Sequence, residues 1–276
     1  MRTHVGLDQP LAAARAILLM GLLATLGFNL VACVPQQVIT PLPSSHWNDN
    51  YFYNYEPPKK AAPVSIRANV IIVNPSYKEA ESAFADATYL KVGKGFSKSM
   101  GVDLDKIMVA KGMTVVGPHA TLDDVTYPDK KGADLTLAPR VFLTADLKIG
   151  DSDNRIYNGV WHRERSFMMK IGGWVAYEMR EPLSGQKMWI KKLELEEREV
   201  SGVEIYEAIA VRKDQYGHVH EWGEGKLEFS GRAEALADAL KAYYPIIMEK
   251  AWTYLNTDEI LDLKEKTKEI RERKVF

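Results

Sequence analysis

Val175-Ala176-Tyr177-Glu178-Met179-Arg180, then Glu181-Pro182-Leu183-Ser184-Gly185-Gln186, then Lys187 through Leu195: this stretch sets the architecture. The first six residues and the last nine have strand composition. Between them, Pro182 pre-sets the backbone of a turn and Gly185 tolerates a positive φ. An antiparallel hairpin is predicted. In the returning strand Met188, Trp189 and Ile190 sit between Lys187 and Lys191-Lys192, and Leu193-Glu194-Leu195-Glu196 alternates, as a half-buried strand does.

Upstream, two further extended segments run from Leu135 to Ile149 and from Ser166 to Met179. A strand is expected over Ser65 to Val73, stopped by Pro75, and another over Met113 to Val116. Between them the composition predicts one helix over Tyr77 to Lys98, weakened by Gly93, Gly95 and Gly101. A second is predicted over Asp103 to Lys111, with Leu104, Ile107 and Met108 on one face and Gly112 just past its end. Downstream, a long helix is expected from Arg232 to Leu255, with Ser230 as N-cap, Pro245 inside, and a stripe of Leu236, Leu240, Tyr243, Ile247 and Ala251. Asn256 and Glu259 resemble a capping box for a last, highly charged helix. Its apolar seam is thin: Ile260, Leu263, Thr267 and Ile270. Such a seam suits pairing with the Arg232–Leu255 helix or with a second copy in a homodimer. The order of elements predicts an α/β fold of α+β-like character. One mixed β-sheet is covered by helices, with a C-terminal helical extension and no second domain after residue 65.

At 276 residues and 46% hydrophobic content the chain can bury a sizeable core. Its 36 Lys and Arg against 37 Asp and Glu give a net charge of -1, so no basic field exists to hold nucleic acid. There is one cysteine, Cys33, which excludes an intrachain disulfide and a Cys/His zinc finger.

Arg2 and Arg15 precede an apolar run from Ala16 to Phe28, too short for a spanning helix but suited to a secretory core. The run leads into Leu30-Val31-Ala32-Cys33, which resembles the lipobox of bacterial lipoproteins. Cleavage between Ala32 and Cys33 is expected, with acylation of Cys33 and a membrane partner reached through the lipid. Val34 rather than Asp after the cysteine implies, by the same resemblance, the outer membrane. The expected organisation is a signal peptide over 1–32, an acylated Pro-rich tether over 33–64, and a single α/β domain over 65–276. Six prolines between Pro35 and Pro63 favour extended chain in that tether. It also carries the aromatic-amide run His46 to Tyr55, which could pack on its own domain, meet the membrane interface, or stack on a sugar.

No catalytic constellation, cofactor motif or metal site is expected. Gly217-His218-Val219-His220-Glu221 puts two imidazoles on one side of a strand, but flanking glycines suit an exposed turn better than zinc. Asp151-Ser152-Asp153-Asn154 begins like a calcium loop, yet Ile156 and His162 stand where Gly and Glu are required. Gly93-Lys94-Gly95 and Gly223-Glu224-Gly225 complete neither phosphate-binding pattern. Asp123-Asp124 is expected to cap a local helix. The candidate ligand patch is Trp161-His162-Arg163-Glu164-Arg165, where Trp161, His162, Arg163 and Arg165 could hold an acidic group beside an aromatic ring.

Several motifs together resemble the neuraminyllactose-binding haemagglutinin family of outer-membrane lipoproteins, which are adhesin-like and associated with the flagellar sheath. Asp105-Lys106-Ile107-Met108 through Lys111-Gly112-Met113-Thr114-Val115-Val116 is similar to that family's helix–glycine–strand passage. Glu181-Pro182-Leu183-Ser184-Gly185 is similar to its turn, and the C-terminal helix also fits. The resemblance covers roughly residues 65–260. It implies a surface lipoprotein that acts by binding a glycan or an envelope or flagellar protein. The family's basic sialic-acid stretch has no counterpart, since Asp146 to Arg155 is not a basic cluster. No glycan-binding residue is carried over, and sialic-acid recognition is expected to be weak or absent. A periplasm-facing lipoprotein that assists outer-membrane assembly or secretion remains the alternative.

Overall fold

The long antiparallel strands predicted around the 175–195 hairpin are present and extend further than expected. The structure, a computed structural model, describes residues 40–44, 53–58, 68–77, 83 and 87–273. Residues Pro41 onward form one compact unit. Ala32, Cys33 and the secretory run lie outside the described residues. In chain order the elements are β1 (Asn69–Val73), β2 (Ser76–Tyr77), α1 (Ala87–Ala110), β3 (Thr114–His119), a 3-10 turn (Leu122–Asp124) and α2 (Tyr127–Gly132). Then follow β4 (Leu135–Leu137), β5 (Arg140–Tyr157), β6 (Val160–Arg180), β7 (Lys187–Lys213), β8 (Val219–Ser230), α3 (Arg232–Tyr254) and α4 (Thr257–Arg273). Among the described residues, no helix is long and apolar enough to cross a membrane.

The eight strands form one mixed sheet. β5, β6, β7 and β8 are antiparallel neighbours, β4 pairs antiparallel with the end of β6, and β1 lies parallel between β4 and β3. Ile72 pairs with Leu137 and Ser76 with Arg140, so β1–β2 and β4–β5 are two side-by-side strands broken at the same level. Pro75 and Pro139 make the breaks, because proline has no N–H to give a ladder. The ladder resumes where the Ser76 N–H donates to the Pro139 carbonyl at 3.0 Å.

Helices α1 and α3 pack on one face. Val70 and Ile72 of β1, Phe96, Met100, Leu104 and Ile107 of α1, and Leu236, Leu240, Tyr243 and Ile247 of α3 share a single core with Met169, Ile171 and Tyr177 of β6. Ile71 and Val73 face the other way, onto Val125 and Ala133 around the short helix α2. Tyr177 donates to the Ile247 carbonyl at 2.7 Å, and Tyr243 to the Ile171 carbonyl at 2.7 Å, pinning α3 to the sheet. The tether also contributes to the domain. Tyr53 is buried between Phe96 and Tyr244, with ring centroids 5.3 and 5.1 Å away, so this aromatic packs on its own fold.

Four expectations are corrected. The two helices predicted over 77–98 and 103–111 are one helix, α1, and Tyr77 belongs to β2. Of the glycines that suggested a break, Gly101 serves close packing: a Cβ there would overlap the Asn74 side chain at the end of β1, whereas Gly95 has open space around it. The N-cap of α3 is Gly231, one residue beyond Ser230. Asn256 caps α4 by accepting from the Asp258 N–H at 2.8 Å, but Glu259 reaches away from the cap to Trp189 Nε1 (2.8 Å) and Lys191 Nζ (2.7 Å). The seam of α4 packs neither along α3 nor free. Ile260 and Leu263 join the main core, Thr267 meets Met188 of β7, and Lys264 pairs with Asp134. Arg271 ends the run. It pairs with the buried Glu181 at 2.9 Å and donates to the carbonyls of Lys130, Lys131 and Ala133 at the end of α2. The surface that suggested a homodimer is thus occupied within the chain.

The turn after β6 shows why two acids are needed there. Glu178 is buried and meets Arg140 Nε at 2.9 Å, Arg180 Nη2 at 2.6 Å and Lys187 Nζ at 3.0 Å. Glu181 accepts from the N–H and hydroxyl of Ser184 at 2.5 and 2.7 Å. Burial alone would raise both carboxyls, but these donors override it and hold them below the ordinary 4.5. Since their folded values lie below the unfolded one, their contribution is full above that unfolded value and is lost as pH falls through the folded values. Melting temperature should be flat from neutral down to about pH 5 and then fall, and the Glu178→Gln/Glu181→Gln pair should flatten that acid limb. An acid limb of unchanged steepness in the double variant would refute this assignment.

Candidate functional site on the β5–β8 arm

Away from the helices, β5 to β8 continue as a four-stranded arm. Among residues 149–166 and 206–228, only Tyr157 and His162 are buried. Both hairpin turns, Asn158-Gly159 and Asp214–His218, lie at its far end. Asn158 and Gly159 both have positive φ, the backbone that a two-residue hairpin loop requires.

The candidate patch lies on β6 within this arm, and strand alternation divides it. Trp161 stands opposite Ile156, Arg163 opposite Asn154, and Arg165 opposite Ser152, so these three share one face. His162 points to the other face. It is 6% exposed, with Nδ1 at 2.9 Å from the Val160 carbonyl and Nε2 at 2.7 Å from Glu228. It therefore cannot act with Trp161, and the patch expected from contiguous sequence is corrected by the period of two.

Arg165 is also committed elsewhere. Its Nη2 lies 2.7 Å from Glu204 and its Nη1 3.2 Å from Glu224, and it contacts the Tyr206 hydroxyl and ring. Arg232 at the start of α3 takes the second oxygen of Glu204 at 2.7 Å. Burial would raise the Glu204 carboxyl, but Arg165, Tyr206 and Arg232 outweigh it and hold it below the usual range. This group ties the base of the arm to α3.

What remains on the face is an aromatic pair and one cation. Trp161 is 46% exposed and stacks on Trp222 of β8 with ring centroids 6.2 Å apart and planes at 29°. Arg163 donates to Asn154 Oδ1 at 3.2 Å and Ser152 Oγ at 3.0 Å, both neutral groups. Exposed Ile156 completes the surface. The arrangement offers flat apolar planes beside a fork of N–H donors, which suits a carboxylate or sugar carried on a larger partner. Sequence reasoning missed Trp222. It lies 61 positions after Trp161, and only the β6–β7–β8 register brings it near. Its occurrence in a strand next to His220 was the available signal.

The other motifs settle into structural roles. Asp214 accepts from the backbone N–H groups of Tyr216 and His218 at 2.8 and 2.9 Å and gathers His218 Nδ1 at 3.0 Å and His220 Nε2 at 3.3 Å. The two imidazoles do share a side, as expected, but they converge on Asp214 and not on Glu221, which pairs across from Arg212. Among the described residues, no group of three His, Cys, Asp or Glu could hold a metal ion. Asp124 accepts from Thr121 N and Oγ1 at 2.8 and 2.9 Å, the cap expected of the Asp123-Asp124 pair. Asp151 to Asn154 run along β5 as strand.

No protein-family model matches the sequence, and no curated protein matches it. Among solved structures the chain is similar to a neuraminyllactose-binding haemagglutinin homolog from Helicobacter pylori. The identity is 13% and the TM-score 0.46, over 78% of this chain and 98% of that one. It is similar to a lipoprotein from Neisseria meningitidis at 14% identity and TM-score 0.23, over 49% of this chain and 83% of that one. A protein from Xanthomonas campestris aligns at 8% identity and TM-score 0.29, over 78% and 89% of the two chains. Likenesses at these scores carry no residue, ligand or activity across.

Proposed function

We propose that this chain is a non-catalytic, lipid-anchored outer-membrane protein of adhesin or flagellar-sheath type that binds its partner through the Trp161–Trp222 face of the arm. The observation that carries the reading is the exposed, stacked indole pair with Arg163 beside it, held on a sheet away from the helical core. Three elements support it. Leu30-Val31-Ala32-Cys33 follows an apolar secretory run, and the helix–glycine–strand and Glu181–Gly185 motifs resemble the haemagglutinin family. The buried carboxylates Glu178, Glu181 and Glu204 are spent on structural pairs. The partner is a glycan-bearing or acidic component of a cell surface, envelope or flagellum. Sialic acid alone is a poor fit, because Arg155 of the Asp146–Arg155 segment stands opposite His162 on the other face, and Ser152 and Asn154 are spent on Arg163.

Protease treatment of intact cells should cleave the domain, and the Trp161→Ala/Trp222→Ala variant should lose attachment to cultured cells with its melting temperature unchanged. Protection from protease until the outer membrane is permeabilised would instead place the domain on the periplasmic side, as an assembly or secretion accessory requires. Calorimetry with sialyllactose should show no micromolar binding, the equivalent of about −8.2 kcal/mol.

A further inference from the structure

The opposite face of the arm carries a second exposed patch. Val160, Ile209 and Val211 are 57%, 44% and 59% exposed. Glu207 stands opposite His162, so Val160 and Ile209 share the His162 face, away from the indole pair. Val211 joins them. A Cβ at Gly223 would lie 2.6 Å from Val211 Cγ2 and 3.4 Å from Ile209 Cγ1, and one at Gly225 would lie 3.0 Å from Ile209 Cγ2. The two glycines thus leave bare β8 backbone over which the branched side chains lie flat. Beside this patch opens a cleft of about 500 Å³, lined by Leu42, Tyr157, Val160, His162, Lys226 and Glu228 among others. Leu42 brings the N-terminal part of the chain to this face. Nine residues lead from Cys33 to Leu42, at most roughly 30 Å of chain whatever their path.

We infer that this face of the arm rests on the bilayer that holds the anchor, with Val160, Ile209 and Val211 in the interfacial layer and the indole pair turned away from it. The inference rests on the lipid-anchor reading for the short reach between acyl group and patch. Tyr216, 77% exposed in the end turn of the same arm, suits the headgroup level, where tyrosine is favoured. An aliphatic patch on a flat strand surface adds burial to an acyl anchor without any spanning element. It also fixes orientation, which an acyl anchor alone does not.

The test uses the full chain as the cell processes it, in vesicles of phosphatidylethanolamine and phosphatidylglycerol. Val211→Cys and Ala210→Cys carry an environment-sensitive label on opposite faces of the same strand, and doxyl-labelled lipids serve as quencher. The inference expects most of the signal at 211 to be quenched, with 210 left as it is in water. Equal quenching at the two positions overturns it. A shift at 211 that grows with protein density and ignores the doxyl lipid also overturns it, because a second copy then covers the face. Mass spectrometry of the Cys33 peptide reads the anchor separately. An unmodified Cys33 sinks the anchor reading, while selective quenching at 211 would still establish the face.

Discussion

Truncating the chain after Asn256 is expected to lower the melting temperature by on the order of 10–20 °C, because the last helix completes the core. Ile260 and Leu263 each lose burial worth about 1.5–3 kcal/mol. Removing Arg271 leaves the Glu181 carboxylate with only Ser184 and neighbouring N–H groups, and breaking a buried pair costs about 3–5 kcal/mol where the charge is stranded. Three carbonyls at the end of α2 lose their donor as well. Arg271→Ala alone should reproduce a large share of the loss. Differential scanning calorimetry with sedimentation decides the matter: particle mass per chain should change only by the deleted residues. A halved mass with an unchanged melting temperature would mean that α4 works between copies.

Gly173→Ala is the second large effect, expected to cost on the order of 3 kcal/mol. Gly173 has φ +142 on β6, opposite Leu143, in the middle of the sheet. A Cβ there would overlap the Phe142 carbonyl oxygen and approach the Leu143 Cα at 3.0 Å. Both obstacles are backbone, so no side-chain rotation relieves them. The β6–β7 register slips between Ile171 and Gly173, and the bend is made at this point. Gly185→Ala, also at positive φ but with open space around it, should cost less. Urea unfolding of the two variants side by side tests the difference. Equal costs would show that φ alone matters and that the close backbone approach contributes nothing.

The sequence disclosed what local chemistry dictates. The 175–195 hairpin, the stripe of α3 and the Asp123-Asp124 cap all rest on contacts within a few residues, and all are present. It misled where a distant partner decides. Gly93, Gly95 and Gly101 look like helix breakers until Asn74 is packed against Gly101. The α4 seam looks too thin to be buried because Trp189, Met188 and Glu181, which receive it, lie seventy to ninety residues earlier. The candidate patch was half legible. Trp161 and Arg163 were found by composition, but the strand period removes His162, the Glu204 pair removes Arg165, and a third strand supplies Trp222.

The two rims of the sheet have a bearing on crowding. Where copies of a chain meet at high local density, a bare strand edge invites chain-to-chain ladders. β3 forms the rim beside β1 and contains Pro118, which has no N–H to offer a newcomer; beyond Val141 the rim is β5, where exposed Asp146, Lys148, Asp151, Asp153 and Arg155 put charge along the edge. β8 forms the other, and its ladder with β7 slips register four times, which twists the rim and breaks the even spacing of its outward N–H and C=O groups. Glu221, Glu224, Lys226 and Glu228 add charge along it. Copies of this chain can therefore be packed densely and still resist fusing into fibrils, each remaining a separate unit.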